Sequence, residues 1–221
     1  MDLPQGLPTS WHVAAWLVLA PLLAWALLRG SWSRLGVNEQ SHVFLGALVA
    51  ISLLWTIGGR VGPVVHFHLL GATILYLMFG LPLAIVGMTL VAIATSVAGG
   101  GDWIAIGGRA LVAGVVPVLV SHLLLRAAEA RLPANFFVYV FVAGFLGGAV
   151  AMLSAAVAVA GAIDLAQPAG APLGDAWTAT ALLLAFAEAT LTGMLITLFA
   201  VYKPAWVGTF KDEIYLKRRE P

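Results

Sequence analysis

The feature that most limits how this chain can fold is a succession of apolar runs, each long enough to cross the roughly 30 Å hydrocarbon core of a bilayer as a helix of about 20 residues. The clearest extend from about Trp11 to Leu28, Ser41 to Ile57, Leu81 to Ala98, Ile104 to Leu125, Phe136 to Gly161 and Ala176 to Tyr202. With 62% hydrophobic residues, 10% charged residues and a mean hydropathy of +1.01, the chain lacks the polar side chains to cover a soluble surface. The pattern predicts an all-α integral membrane protein. A seventh element, about Val64 to Phe79, is short and follows Gly58, Gly59, Gly62 and Pro63. That punctuation predicts a half-helix or re-entrant piece, which a bilayer tolerates only where protein or a wet cavity covers it. The expected organisation is one helical bundle domain over residues 1–221, with 203–221 as a cytoplasmic tail.

Charge placement supports seven crossings, because cytoplasmic loops carry the Lys and Arg excess. With the N-terminus outside, Arg29, Arg34, Arg126, Arg131, Lys203, Lys211, Lys217, Arg218 and Arg219 all fall on the cytoplasmic side, leaving Arg60 outside and Arg109 inside a span. Met1 to Pro8 carry no Lys or Arg, so they lack the basic region of a signal peptide, and Met1 is expected to keep an outward-facing amine. Trp11, Trp55, Trp103 and Trp177 are expected to mark the outer interface, and Trp32 and Trp206 the inner one. Gly107, Gly108, Gly114, Gly144, Gly147 and Gly148 read as close-packing positions between helices. The stretch from Ala162 to Asp175, with two prolines, reads as the longest outer connection.

Two imidazole side chains stand out against this background. His66 and His68 lie in the broken element, and an ionisable group at bilayer depth costs several kcal/mol unless it is paired, coordinated or turned to a cavity. Residues two apart diverge on a helix but share a side of an extended segment, so both imidazoles can reach one ion only if the backbone there is not helical. Each can equally satisfy itself on a carbonyl within the bundle. Asp2, His66, His68 and Asp102 are all expected near the outer face. His12, His42 and His122 read as interfacial histidines. Arg109 and Glu188 are the deepest charges, and a direct or water-bridged pair between them, or a place on an ion path, is the expectation.

Other chemistries find little support. A net charge of +1 argues against a nucleic-acid-binding surface. Cysteine is absent, which removes disulfides, thiolate metal sites and cysteine nucleophiles. No nucleophile elbow, phosphate loop or His-Glu-x-x-His pair is present, so neither an enzyme nor an organic cofactor is expected. A terminal amine, a donor at residue 2 and an imidazole would instead suit a borderline divalent ion such as Ni²⁺, Co²⁺ or Zn²⁺.

Met1-Asp2-Leu3-Pro4-Gln5-Gly6 resembles the Met-His-Ile-Pro-Asp/Glu-Gly opening of the CbiM/NikM family, the substrate-binding membrane components of energy-coupling-factor cobalt and nickel transporters. In matching order, His68-Leu69-Leu70-Gly71-Ala72 resembles its Gly-His-Leu-Leu-Gly-Gly, the stretch from Gly100 to Gly107 resembles its Gly-Asp-Gly-Gly-Leu-Thr-Ala-Leu-Gly loop, and Ala187 to Thr192 resembles the Glu-Gly/Ala-Leu-Ile-Thr of its last span.

The resemblance implies a metal held by the Met1 amine, by residue 2 and by the His68 imidazole. Asp2 stands where the family has histidine, so an all-nitrogen square-planar set requires His66 to supply the missing ring. A carboxylate is a harder ligand and moves preference toward Zn²⁺, Mn²⁺ or less selective binding. Arg109 stands where the family tends to have Asn. The resemblance also implies partners, namely a transmembrane coupling protein and cytoplasmic ABC ATPase subunits, in a prokaryotic inner membrane. The expected function is uptake of a divalent transition-metal ion. The alternative is a membrane-embedded accessory or assembly protein that keeps the fold without metal transport.

Overall fold

A computed structural model describes residues 7–61, 65–166, 175–211 and 215. Its helices are α1 (Thr9–Arg29), α2 (Trp32–Leu35), α3 (Asn38–Thr56), α4 (Ala72–Phe79), α5 (Leu81–Ala98), α6 (Ile106–Ala110), α7 (Val116–Arg131), α8 (Phe136–Val138), α9 (Gly147–Ala166) and α10 (Asp175–Tyr202). A 3₁₀ turn precedes α6, and π-helical stretches Leu111–Val115 and Tyr139–Leu146 join α6 to α7 and α8 to α9. The chain is an all-α membrane protein. Among the described residues, five helical stretches are long and apolar enough to cross a bilayer: Thr9–Arg29, Leu81–Ala98, Trp103–Arg131, Phe136–Asp164 and Ala176–Tyr202. The 19-residue α3 and the 8-residue α4 complete the expected order of elements.

Burial divides these helices by role. Every residue of α4 is buried, so this short apolar helix lies at the centre, packed against α5, α7 and α9. By contrast, α1 leaves Leu17, Val18, Leu27 and Leu28 on the outside, as a helix facing lipid does. Small residues set the tightest crossings. A Cβ on Gly148 would lie 2.9 Å from the Glu188 carbonyl oxygen, and one on Gly144 would lie 3.3 Å from Gly193 Cα, so α10 approaches the α8–α9 segment backbone to backbone.

The short, interrupted element consists of a strand hairpin followed by a half-length helix. Before α4 the chain forms an antiparallel hairpin, β1 (Gly58–Val61) and β2 (Val65–His68), with Gly58 opposite His68 and Arg60 opposite His66. Extended backbone is possible here because the partner strand takes up its hydrogen bonds, which a lone strand in an apolar setting would leave unmet. Gly71, at φ 68, turns the chain from β2 into α4, and Gly80, at φ 81, turns it out again into α5, whose first turn holds Pro82.

Other expectations also shift. Helix α9 runs on to Ala166, so only part of the stretch expected as an outer connection lies between helices, and 167–174 lie outside the described residues. After α10 the chain folds back: Gly208 N donates to Met78 O at 2.8 Å and Thr209 N to Leu77 O at 3.2 Å. These bonds satisfy carbonyls that the last turn of α4 would otherwise leave bare.

Candidate metal centre

Strand β2 places His66 and His68 on the same side of the hairpin, two residues apart on extended backbone. Their rings lie 6.2 Å apart, centroid to centroid, at 38°. The condition under which both imidazoles serve one region is therefore met. Phe67 points the other way, buried against Trp177 at 4.9 Å. Gly58 is required beneath the pair, because a Cβ there would overlap the His66 ring and the Phe67 carbonyl.

His68 is 1% exposed. Its Nδ1 lies 2.9 Å from Leu69 O, and since a carbonyl can only accept, the Nδ1 of the neutral ring carries the hydrogen. That tautomer leaves the lone pair on Nε2, the arrangement in which histidine coordinates metals. Trp55 packs on the ring, centroids 4.6 Å apart at 37°, while its Nε1 donates to Leu70 O at 2.9 Å. An expected interface anchor is thus a buried wall of the site, 1% exposed, because both its ring and its N–H find partners inside.

Glu188, fully buried on α10, accepts from Leu70 N and from Gly71 N, both at 2.8 Å. Arg109 from α6 reaches Ser96 Oγ at 3.3 Å and lies over the Trp55 ring at 5.2 Å. Of the expected direct or water-bridged Arg109–Glu188 pair, the direct form is not seen: among the described residues no ion pair joins the two side chains. The carboxylate is taken up instead by two backbone donors, and the guanidinium sits beside Trp55. Both nevertheless belong to the surroundings of His68, one through the 70–71 backbone and the other through Trp55.

The remaining candidates separate from the site. Asp102 is an exposed cap that accepts from Ile104 N at 3.1 Å and fixes the 3₁₀ turn. His122 meets the Tyr76 hydroxyl at 3.0 Å, a satisfied histidine as expected. His12 lines an apolar cleft between α1 and the 108–112 segment, and His42 a groove between α3, α4 and α10. Met1 and Asp2 lie outside the described residues, and within the described ones no three His, Asp or Glu side chains gather around a common point. Reasoning from sequence did not identify Trp55, Ser96 or the amides of Leu70 and Gly71. The only signal available for the amides was Gly71 closing His-Leu-Leu-Gly, a position where backbone turns and comes close to a neighbour.

A family model, CbiM, described as "Cobalt uptake substrate-specific transmembrane region", matches residues 3–206. Among solved structures, a transition metal transporter superposes with a TM-score of 0.75 at 19% identity, covering 91% of this chain and 93% of that one. A truncated transition metal transporter gives 0.73 at 18% identity, covering 91% and 98%. At these identities the two structures bear on the fold. Comparison with curated proteins finds no match.

Proposed function

The chain belongs to the CbiM family, the substrate-specific transmembrane region of cobalt uptake, and on that premise we propose that it captures a divalent transition-metal ion at His68 for delivery across the membrane. It is a membrane component of metal-ion uptake and not an enzyme. The observation that supports the finer reading is His68 itself: buried, packed on Trp55, with Nδ1–H donated to Leu69 O, the tautomer in which Nε2 carries the lone pair that coordinates metals. The ion is the cargo, and the remaining ligands are Met1 and Asp2 from the chain start, with His66 on the same side of β2 as the further imidazole.

The donor chemistry supports a less selective ion choice than an all-nitrogen set would give. One imidazole, an amine and the Asp2 carboxylate suit Co²⁺ or Zn²⁺, whereas replacement of the carboxylate by His66 favours Ni²⁺. Transport requires partners, a transmembrane coupling protein and cytoplasmic ABC ATPase subunits, since the chain carries no phosphate loop. The Lys and Arg distribution supports an outward N-terminus and a cytoplasmic tail over 203–221, and the family likeness supports a single bundle resident in a prokaryotic inner membrane.

The test is equilibrium competition of Co²⁺, Ni²⁺, Zn²⁺ and Mn²⁺ on purified protein, with the native N-terminus and with residues added before Met1. Stoichiometric binding that is lost on extension supports the reading. Absence of binding by the native form overturns it and leaves a non-transporting accessory protein.

A further inference from the structure

We propose that Glu188 is the positioning residue for the metal ligand His68: it acts through the Leu70 and Gly71 amides, and its charge offsets that of the captured ion. The inference rests on the metal-site reading above.

The first ground is how the segment after His68 is held. Leu69 O is taken by the His68 ring, Leu70 O by Trp55, Leu70 N and Gly71 N by the two oxygens of Glu188, and Gly71 O by Leu75 N at 3.1 Å. This segment is the elbow, with Gly71 at φ 68, that turns β2 into α4. The aim of Nε2 depends on the backbone at residue 68 and on the ring's contacts, Leu69 O and Trp55 among them, so the groups that fix residues 69–71 help to fix the ligand. Glu188 ties that elbow to the last helix, from 117 and 118 positions away in sequence.

The second ground is charge. Two neutral amides could be satisfied by a neutral acceptor, yet the residue here is a carboxylate at 0% exposure inside an apolar bundle. A buried anion is costly unless opposite charge lies close. The first turn of α4 supplies a partial positive charge through its free amides. A divalent ion on His68, two residues before the first of these amides, would add further positive charge to the same segment. Charge and elbow are therefore coupled: the ion stabilises the carboxylate, and the carboxylate holds the ligand that binds the ion.

The third ground is access. Gly148 of α9 lets α10 approach at this level, since a Cβ there would meet Glu188 O at 2.9 Å, Ala189 Cα at 3.1 Å and Ala189 N at 3.2 Å. The packing that brings Glu188 to the elbow is thus built into both helices.

The experiment uses full-length protein with a native N-terminus and Co²⁺ as probe, comparing wild type, His68→Ala and Glu188→Gln. Removing a group that orients a metal ligand typically weakens binding about 10- to 100-fold. The expected result is that His68→Ala abolishes binding, while Glu188→Gln weakens it about 10- to 100-fold and displaces the visible absorption bands of bound Co²⁺ at saturation. A purely structural role would lower the melting temperature of metal-free Glu188→Gln and leave affinity and spectrum unchanged, and that result overturns the inference while the metal site stands. If wild type does not bind Co²⁺, or His68→Ala binds as wild type does, the underlying reading fails as well. Should Glu188→Gln not fold, hydrogen exchange on wild type decides: slower exchange at the Leu70 and Gly71 amides with Co²⁺ present supports the coupling, and equal rates with and without Co²⁺ overturn it.

Discussion

Trp55 and His68 pack ring against ring at 4.6 Å, and the same tryptophan donates its indole N–H to Leu70 O, so one side chain braces both a metal-ligand candidate and the backbone that follows it. Trp55→Phe keeps an aromatic wall but leaves the buried Leu70 carbonyl without its donor. It is expected to lower stability by about 1–3 kcal/mol and to weaken metal binding. Thermal unfolding without metal, followed by a Co²⁺ titration, measures both effects.

Helix packing gives a contrasting pair of substitutions within α9. At Gly148 a side chain would run into the backbone of α10, so Gly148→Val is expected to destabilise by about 1–3 kcal/mol through overpacking. At Gly161 a Cβ meets nothing within 4 Å, so Gly161→Ala is expected to be neutral or stabilising by up to about 1 kcal/mol through helix propensity. The melting temperature should fall for Gly148→Val and hold or rise for Gly161→Ala.

The segment after α10 is pinned by Thr209, whose Oγ1 donates to Leu77 O at 2.8 Å and lies 2.6 Å from the hydroxyl of buried Tyr139. Thr209→Val removes both bonds at once. The expected cost is about 1–3 kcal/mol, with faster proteolysis across residues 203–211 than in wild type, read by mass spectrometry of the fragments.

A pH effect follows from Tyr215 in the same region, whose hydroxyl donates to Glu129 Oε1 at 3.2 Å. Burial, together with the Glu129 charge and that hydrogen bond, pushes the phenol up from 10.0 to about 12. The folded protein therefore holds a proton that the unfolded chain has released, and stability from this anchor, complete below about pH 10, declines as pH rises toward about 12. Tyr215→Phe cannot ionise there, so the difference in melting temperature between it and wild type should change in favour of the variant across that interval.

The long elements were legible because a bilayer demands about 20 apolar residues per crossing, and Leu81–Ala98 and the start at Phe136 fall where hydropathy puts them. His68 and Glu188 were legible because an ionisable group in an apolar stretch requires a partner. What those partners are was not legible. Glu188 is served by two amides 117 and 118 positions away, and amides carry no residue signature. The hairpin was hidden for a related reason: Gly58, Gly59, Gly62 and Pro63 signal a break in helix but do not say that residues 58–61 pair with 65–68. Trp55 was misplaced because tryptophan suits both an interface belt and a buried wall, and only the fold distinguishes them.

The most direct test of the metal reading is X-ray absorption at the cobalt edge on Co²⁺-loaded protein, wild type against His68→Ala. The account predicts an imidazole scattering signature in wild type that is lost, together with the bound ion, in the variant. A wild-type spectrum without imidazole, or an identical spectrum from His68→Ala, would contradict it.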